Sequence, residues 1–178
     1  MEIDEVICLV PHNPEWFEQF NSEGQILQKI LENIVVDIQH IGSTAVSGLV
    51  AKPIVDIMVG LRSLAIDTTH IIKMETLGYE YLGEAGVLGR LYFRKRYPLA
   101  FNVHMVEWKG IIWQNNLRLR EFLRFNPDLS AKYGQHKLFL RDKGVKTLLE
   151  YSELKASLLT ELLQQAQDFP LDFATISP

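Results

Sequence analysis

Between residues 53 and 61 the chain reads Pro-Ile-Val-Asp-Ile-Met-Val-Gly-Leu, one carboxylate inside an apolar run. The β-branched residues predict an interior strand over 53–59, with Pro53 tolerated only at its start. Alternation then puts Ile54, Asp56 and Met58 on one face and Val55, Ile57 and Val59 on the other. One face belongs to a core. The other carries a carboxylate that must be paired, protonated, metal-bound or at an open strand end, because an unpaired buried carboxylate is costly. A structural ion pair with Lys52 is one such solution.

The preceding segment, "IVVDIQHIG", reads as a strand ending at Gly42, and Ser43 and Thr44 follow. A strand, a Gly-Ser-Thr turn and a short helical piece can hold an anion, through hydroxyls and backbone N–H groups, or can be a plain helix cap. The Walker pattern is absent, since Leu49 and not Lys follows Gly48. A dinucleotide fingerprint would need a third glycine.

The remaining pattern is mixed α/β and then helical. A helix is predicted over 14–31, with Asn13 as cap and Pro14 at its first position. A second runs from Ser63 to near Gly78. Strands joined by glycine and proline turns fill 79–108. Three helices follow, broken at Asn126-Pro127 and near Gly144 and closed by Pro170. We therefore divide the chain into an α/β core at 1–110, a helical segment at 111–170 packed on it, and a tail at 171–178.

A chain of 178 residues that is 47% hydrophobic and 22% charged can bury a sizeable core. Its net charge of −4 argues against non-specific nucleic-acid binding. The lone cysteine, Cys8, excludes a disulfide framework. The acidic N-terminus does not read as a signal peptide, and no apolar run reaches the roughly 18 residues of a membrane span. These features point to the cytoplasm and away from a membrane. They leave the oligomeric state open.

Other strands offer companions for Asp56. In "NVHMVEW", Asn102, His104 and Val106 share a face. His104 can be a metal ligand, a general base or a hydrogen-bonded core histidine. Glu107 can be a further acid or a solvated strand end, and its alternation with His104 sets the two on opposite faces unless the strand twists. His40 can line the same pocket. In "RLYFRKR", Arg90, Tyr92, Arg94 and Arg96 share a face suited to phosphate, or guard a sheet edge. Lys52 can neutralise Asp56 or meet a phosphate. Trp16, Trp108 and Trp113 read as packing residues. Lys132, Tyr133, His136 and Lys137 read as a solvated helix face.

The run "HIGSTAV-x-GL-x-AKPI-x-DI" resembles the GrpB family of small bacterial proteins, as do "PHNPEWFEQF", "HMVEW" and "NPDLSAKYGQHK". That family is similar in turn to the nucleotidyltransferase superfamily, with its DNA polymerase β-like fold. The resemblance implies an α/β (α+β) fold, with a mixed sheet flanked by helices and a C-terminal helical segment. It implies that Gly42 and Ser43 hold nucleotide phosphates; Thr44, Lys52, Arg94 and Arg96 join them as phosphate-binding candidates from the residue pattern alone. It implies that Asp56 is the first acid of a Mg²⁺ site and that a neighbouring strand supplies a third acid, for which Glu107 is the candidate; with His104 from the residue pattern, Asp56 and Glu107 are then the candidate catalytic residues. Met58 stands where a second acid is implied, a thioether where Mg²⁺ prefers oxygen. Two functions follow from the resemblance. One is a nucleotidyltransferase-like protein that binds a nucleotide or phosphorylated small molecule, with Mg²⁺-dependent nucleotidyl transfer. The other is a non-catalytic accessory domain in nucleotide or coenzyme A metabolism, since GrpB-like domains occur fused to dephospho-CoA kinase.

Overall fold

The structure, a computed structural model, describes residues 5–145, 147–171 and 176. Most of the expected tail at 171–178 lies outside the described residues. Helix α1 (Glu15–Ile30) starts where the sequence places it, and the Asn13 side chain accepts the Glu15 N–H at 3.0 Å. Strand β1 (Val35–Ile41) follows, then one 3-10 turn (Ser43–Ala45) and strand β2 (Val55–Leu61). Helix α2 (Thr68–Thr76) is shorter than the periodicity predicts. The Asp67 carboxylate caps the N–H groups of Thr69 and His70, which sets the start there and leaves 63–67 as loop. Strands β3 (Glu80–Tyr81), β4 (Arg90–Lys95) and β5 (Phe101–Glu107) complete the sheet. Helices α3 (Ile111–Phe125), α4 (Pro127–Asp142) and α5 (Leu148–Gln165) form the C-terminal segment.

The sheet order is β1-β2-β5-β4-β3. Only β2 and β5 run parallel, joined by a crossover that includes α2; the other neighbours are antiparallel. The carboxylate-bearing strand is thus interior, as the apolar run requires. Its Val55, Ile57 and Val59 pack with Trp16, Phe20 and Leu27 of α1 and Met74 of α2.

The opposite face is covered in part. There Ile41, Met58 and Val106 pack with Trp113 and Leu117 of α3. Gly60 makes that approach possible, because a Cβ at this position would lie 2.7 Å from the Trp113 ring. Helices α4 and α5 dock beside α3 through Leu123, Tyr133 and Leu162, which meet Val46 and Leu49. Asp56, Asn102 and His104 lie on this second face, on β2 and β5.

Candidate functional site

Three neighbouring strands supply the site's floor. Register pairs Asp56 with Asn102 and His104 with Tyr92. Asn102 Nδ2 donates to Asp56 Oδ1 at 2.7 Å, and His104 Nε2 stands 3.4 Å from the same oxygen. The other ring nitrogen, His104 Nδ1, is 3.3 Å from Arg90 Nη1. A guanidinium can only donate, so Nδ1 accepts and Nε2 carries the hydrogen toward Asp56. Both nitrogens of His104 are thereby engaged. Tyr92 packs edge-on against the imidazole, and Arg90 lies over the Tyr92 ring. Burial alone would raise the Asp56 carboxyl. The hydrogen bond from His104, the charge of Lys52 and the Asn102 amide outweigh it and hold the group at about 2.

Gly42 closes over this carboxylate. Its backbone sits at φ 72°, ψ −168°, a region that essentially only glycine adopts. An added Cβ would lie 2.5 Å from Asp56 Oδ2. The glycine therefore brings Ser43 next to the aspartate. Thr44 points elsewhere: its hydroxyl is 2.9 Å from His40 Nε2, and the His40 ring stacks flat on Phe20 of α1. Burial keeps His40 uncharged at neutral pH, with its pKa lowered to about 4.

The C-terminal helices reach the same place, which the sequence reading missed. Tyr133 and Lys137 do not lie on a solvated face; they are 4% and 1% exposed. Lys137 Nζ donates to Ser43 Oγ at 3.0 Å and to the Val50 carbonyl. Tyr133 hydrogen-bonds the same serine and lies under the Lys137 ammonium. Lys155 of α5 lies over Tyr151 and within electrostatic reach of Lys52, Lys137 and Asp56. Burial first, then the charges of Lys155 and Lys52, lower Lys137 to about 7. Lys155 falls to about 8, again mainly through burial. Lys52 is lowered by burial too, opposed by Asp56, with which it makes no salt bridge within 4 Å. The available signal was the spacing of Ser130, Tyr133, Gly134, Lys137 and Leu140, the buried stripe of α4.

Other expected residues are placed differently. Arg94 pairs with Glu80 at 2.6 Å and with Glu5 at 3.3 Å. Arg96 pairs with Glu5 at 2.8 Å. The protein's own carboxylates thus hold both arginines that the sequence assigns to phosphate. Glu107 is exposed at the far end of β5, opposite Leu61 rather than Asp56. Alternation puts it on the other face from His104, and the strand end does not reverse this. Met58 is wholly buried in the apolar cluster under Trp113.

This donor set does not fit Mg²⁺. Around Asp56 stand an amide, an imidazole with both nitrogens used, and a thioether buried under α3. Three lysines and Arg90 add positive charge. Among the described residues no group of three His, Cys, Asp or Glu side chains could hold a metal. A two-cation centre needs bridging carboxylates, and one carboxylate cannot supply them.

The GrpB protein family model matches residues 6–165, nearly the whole chain. The chain belongs to the GrpB family. Glutamate-rich protein GrpB of Alkalihalophilus pseudofirmus is 32% identical over 165 residues, covering 89% of this chain and 95% of that one. The crystal structure of GrpB from Enterococcus faecalis superposes with a TM-score of 0.82 at 31% identity, over 89% of this chain and 96% of that one. Cid1, solved in complex with its short product ApU, superposes with a TM-score of 0.53 at 12% identity, over 74% of this chain and 42% of Cid1. At that identity the likeness concerns the fold alone. No described helix is long and apolar enough to cross a membrane.

Proposed function

We propose that this GrpB-family protein binds the phosphate groups of a small molecule, with a nucleotide as the first class to test, and that lysines neutralise them in place of metal ions. One observation carries the reading. Lys137 Nζ donates to Ser43 Oγ at 3.0 Å, and Lys52 and Lys155, from two other segments, lie within electrostatic reach of Lys137 or of each other and of the single carboxylate of Asp56. Buried like charges are costly, and a bound anion relieves that cost. Lys137 uses two of its three donors on Ser43 and Val50 and keeps one for a ligand. The fold relation to Cid1, whose bound product is a dinucleotide, supports a nucleotide as the ligand class.

Calorimetric titration with ADP and with pyrophosphate tests this. Binding should persist unchanged in EDTA. Lys137→Met should weaken it by about ten- to a hundredfold, the worth of one charge-assisted hydrogen bond. Binding that requires Mg²⁺, or that ignores Lys137→Met, would refute the reading.

A further inference from the structure

The N-terminal segment lays a carboxylate of its own against Arg94 and Arg96. Val10 exchanges two backbone hydrogen bonds with Ala51, at 2.9 and 3.0 Å, and Leu9 packs with Leu140 and Tyr151. The segment is thus pinned at 9–10, next to Lys52. Beyond that point Val6 bridges Thr147 while 87% exposed, and Glu5 is held through its side chain. Arg96 donates from Nε to Glu5 Oε2 at 2.8 Å and from Nη2 to Oε1 at 2.9 Å, and Arg94 donates from Nη1 to Oε1 at 3.3 Å. A two-pronged guanidinium contact of this kind grips a phosphate as well as a carboxylate.

Arg96 keeps its place without Glu5. Its Nη1 donates to the carbonyls of Lys95 and Phe101, at 3.0 and 3.1 Å, which fixes the guanidinium plane and presents the Nε–Nη2 edge. The arginines also adjoin the lysine site. Tyr92, packed edge-on against His104, hydrogen-bonds Arg96. Lys52 is within electrostatic reach of Glu5 and Arg96 on one side and of Asp56 and Lys137 on the other. Three cationic groups therefore follow one another, Lys137, Lys52 and Arg96, one for each phosphate of a triphosphate chain. Burial would raise the Glu5 carboxyl, but the Arg96 hydrogen bond and the charges of Arg96, Arg94 and Lys52 hold it below its ordinary value, so it is an anion at neutral pH. Its side chain is 26% exposed, so solutes can reach it. We propose that Arg94 and Arg96 form a second anion subsite beside the lysines, that Glu5 fills it in the free protein, and that a ligand with a chain of three phosphates displaces Glu5 and sets its far phosphate there. The inference rests on the phosphate reading of the lysine site.

Calorimetric titration of the full chain in EDTA, with tripolyphosphate and with pyrophosphate, tests it. Glu5→Gln should tighten tripolyphosphate about tenfold, because a charge-assisted competitor is gone, and should change pyrophosphate by less than about twofold. Arg96→Gln should weaken tripolyphosphate about tenfold and spare pyrophosphate. In ¹⁵N spectra of the wild type, tripolyphosphate should shift the amides of Val6 and Thr147, and pyrophosphate should leave them in place; this measurement decides the matter if Arg96→Gln does not fold. An unchanged tripolyphosphate affinity in Glu5→Gln, an equal gain for both anions, or Val6 and Thr147 amides that ignore tripolyphosphate would overturn the proposal and leave Glu5 as a tether for the N-terminal segment. Failure of the lysine reading has a different signature: Lys137→Met would leave both anions unaffected, while Glu5→Gln and Arg96→Gln would still act on tripolyphosphate and keep the arginine subsite.

Discussion

Lys137 is the side chain whose behaviour separates a binding site from a well-packed core. Its ordinary value of 10.5 falls to about 7 in the fold, so the native state releases its proton first. Below pH 7 the amine is protonated whether folded or unfolded, and the cost of burying it is fully present. Between about 7 and 10.5 the unfolded chain binds more protons, so stability rises with pH. For one proton the slope approaches about 1.4 kcal/mol per pH unit. Denaturant melts from pH 7 to 9 should show the rise, and Lys137→Met should flatten it by one proton's share. Anion binding has the opposite sense. A bound phosphate favours the charged amine, so affinity should fall as pH rises through 7 to 9, and titrations in buffers of different ionisation heat should register proton uptake. Affinity that does not change with pH would remove Lys137 and Lys155 from the site.

Strand β2 was legible to within two residues at each end, expected at 53–59 and found at Val55–Leu61, because an apolar run bounded by proline has few alternatives to an interior strand. Its role at residue 58 was not. Alternation places Met58 on the Asp56 face, but it cannot say that α3 covers that part of the face. Covering depends on Gly60 admitting Trp113, a contact between residues more than fifty positions apart. This yields a specific expectation for Met58→Asp. A new carboxylate there would be buried under Trp113 without a partner, so stability should drop by roughly 3 kcal/mol or more. Melts with and without Mg²⁺ should be equally low. Recovery of stability on adding the cation would mean that a metal pair can form and that the apolar lid over residue 58 opens. Helix α4 teaches the same lesson from the other side. Its buried stripe is Ser130, Tyr133, Gly134, Lys137 and Leu140, too polar to read as a core face. Only the docking of Gly134 against Leu49 and Val50 turns it inward.

Across the molecule, periodicity and Gly/Pro punctuation carried the architecture, while the chemistry was half visible. Gly42, Ser43 and Asp56 sit close together in sequence and carry a motif. Lys52, Lys137 and Lys155 come within electrostatic reach of one another only through tertiary packing, and no local pattern brings them together. The arginines of β4 were visible, but their carboxylate partners Glu5 and Glu80 are set by how the N-terminal segment and β3 fold back. A site assembled from the core and two C-terminal helices also predicts a whole-molecule response. Pyrophosphate should slow amide exchange along α4 and α5, because a ligand that bridges lysines from separate segments must hold those segments together. Protection confined to residues 42–56 would place the anion on the core alone.

Asp56→Asn puts the two accounts of this pocket in direct opposition. If Asp56 anchors a metal that in turn binds phosphate, the amide should abolish binding. If lysines bind the phosphate, Asp56 is their internal counter-charge, and removing it should strengthen the pull on an incoming anion. The apo variant should be less stable by about 2 kcal/mol at neutral pH, because a carboxyl held near 2 rather than 3.8 contributes stability that is present above pH 3.8 and lost as pH falls toward 2. Calorimetric titration of Asp56→Asn with pyrophosphate in EDTA is the most direct test. The lysine account predicts affinity equal to or tighter than wild type, whereas loss of binding in the folded variant would contradict it.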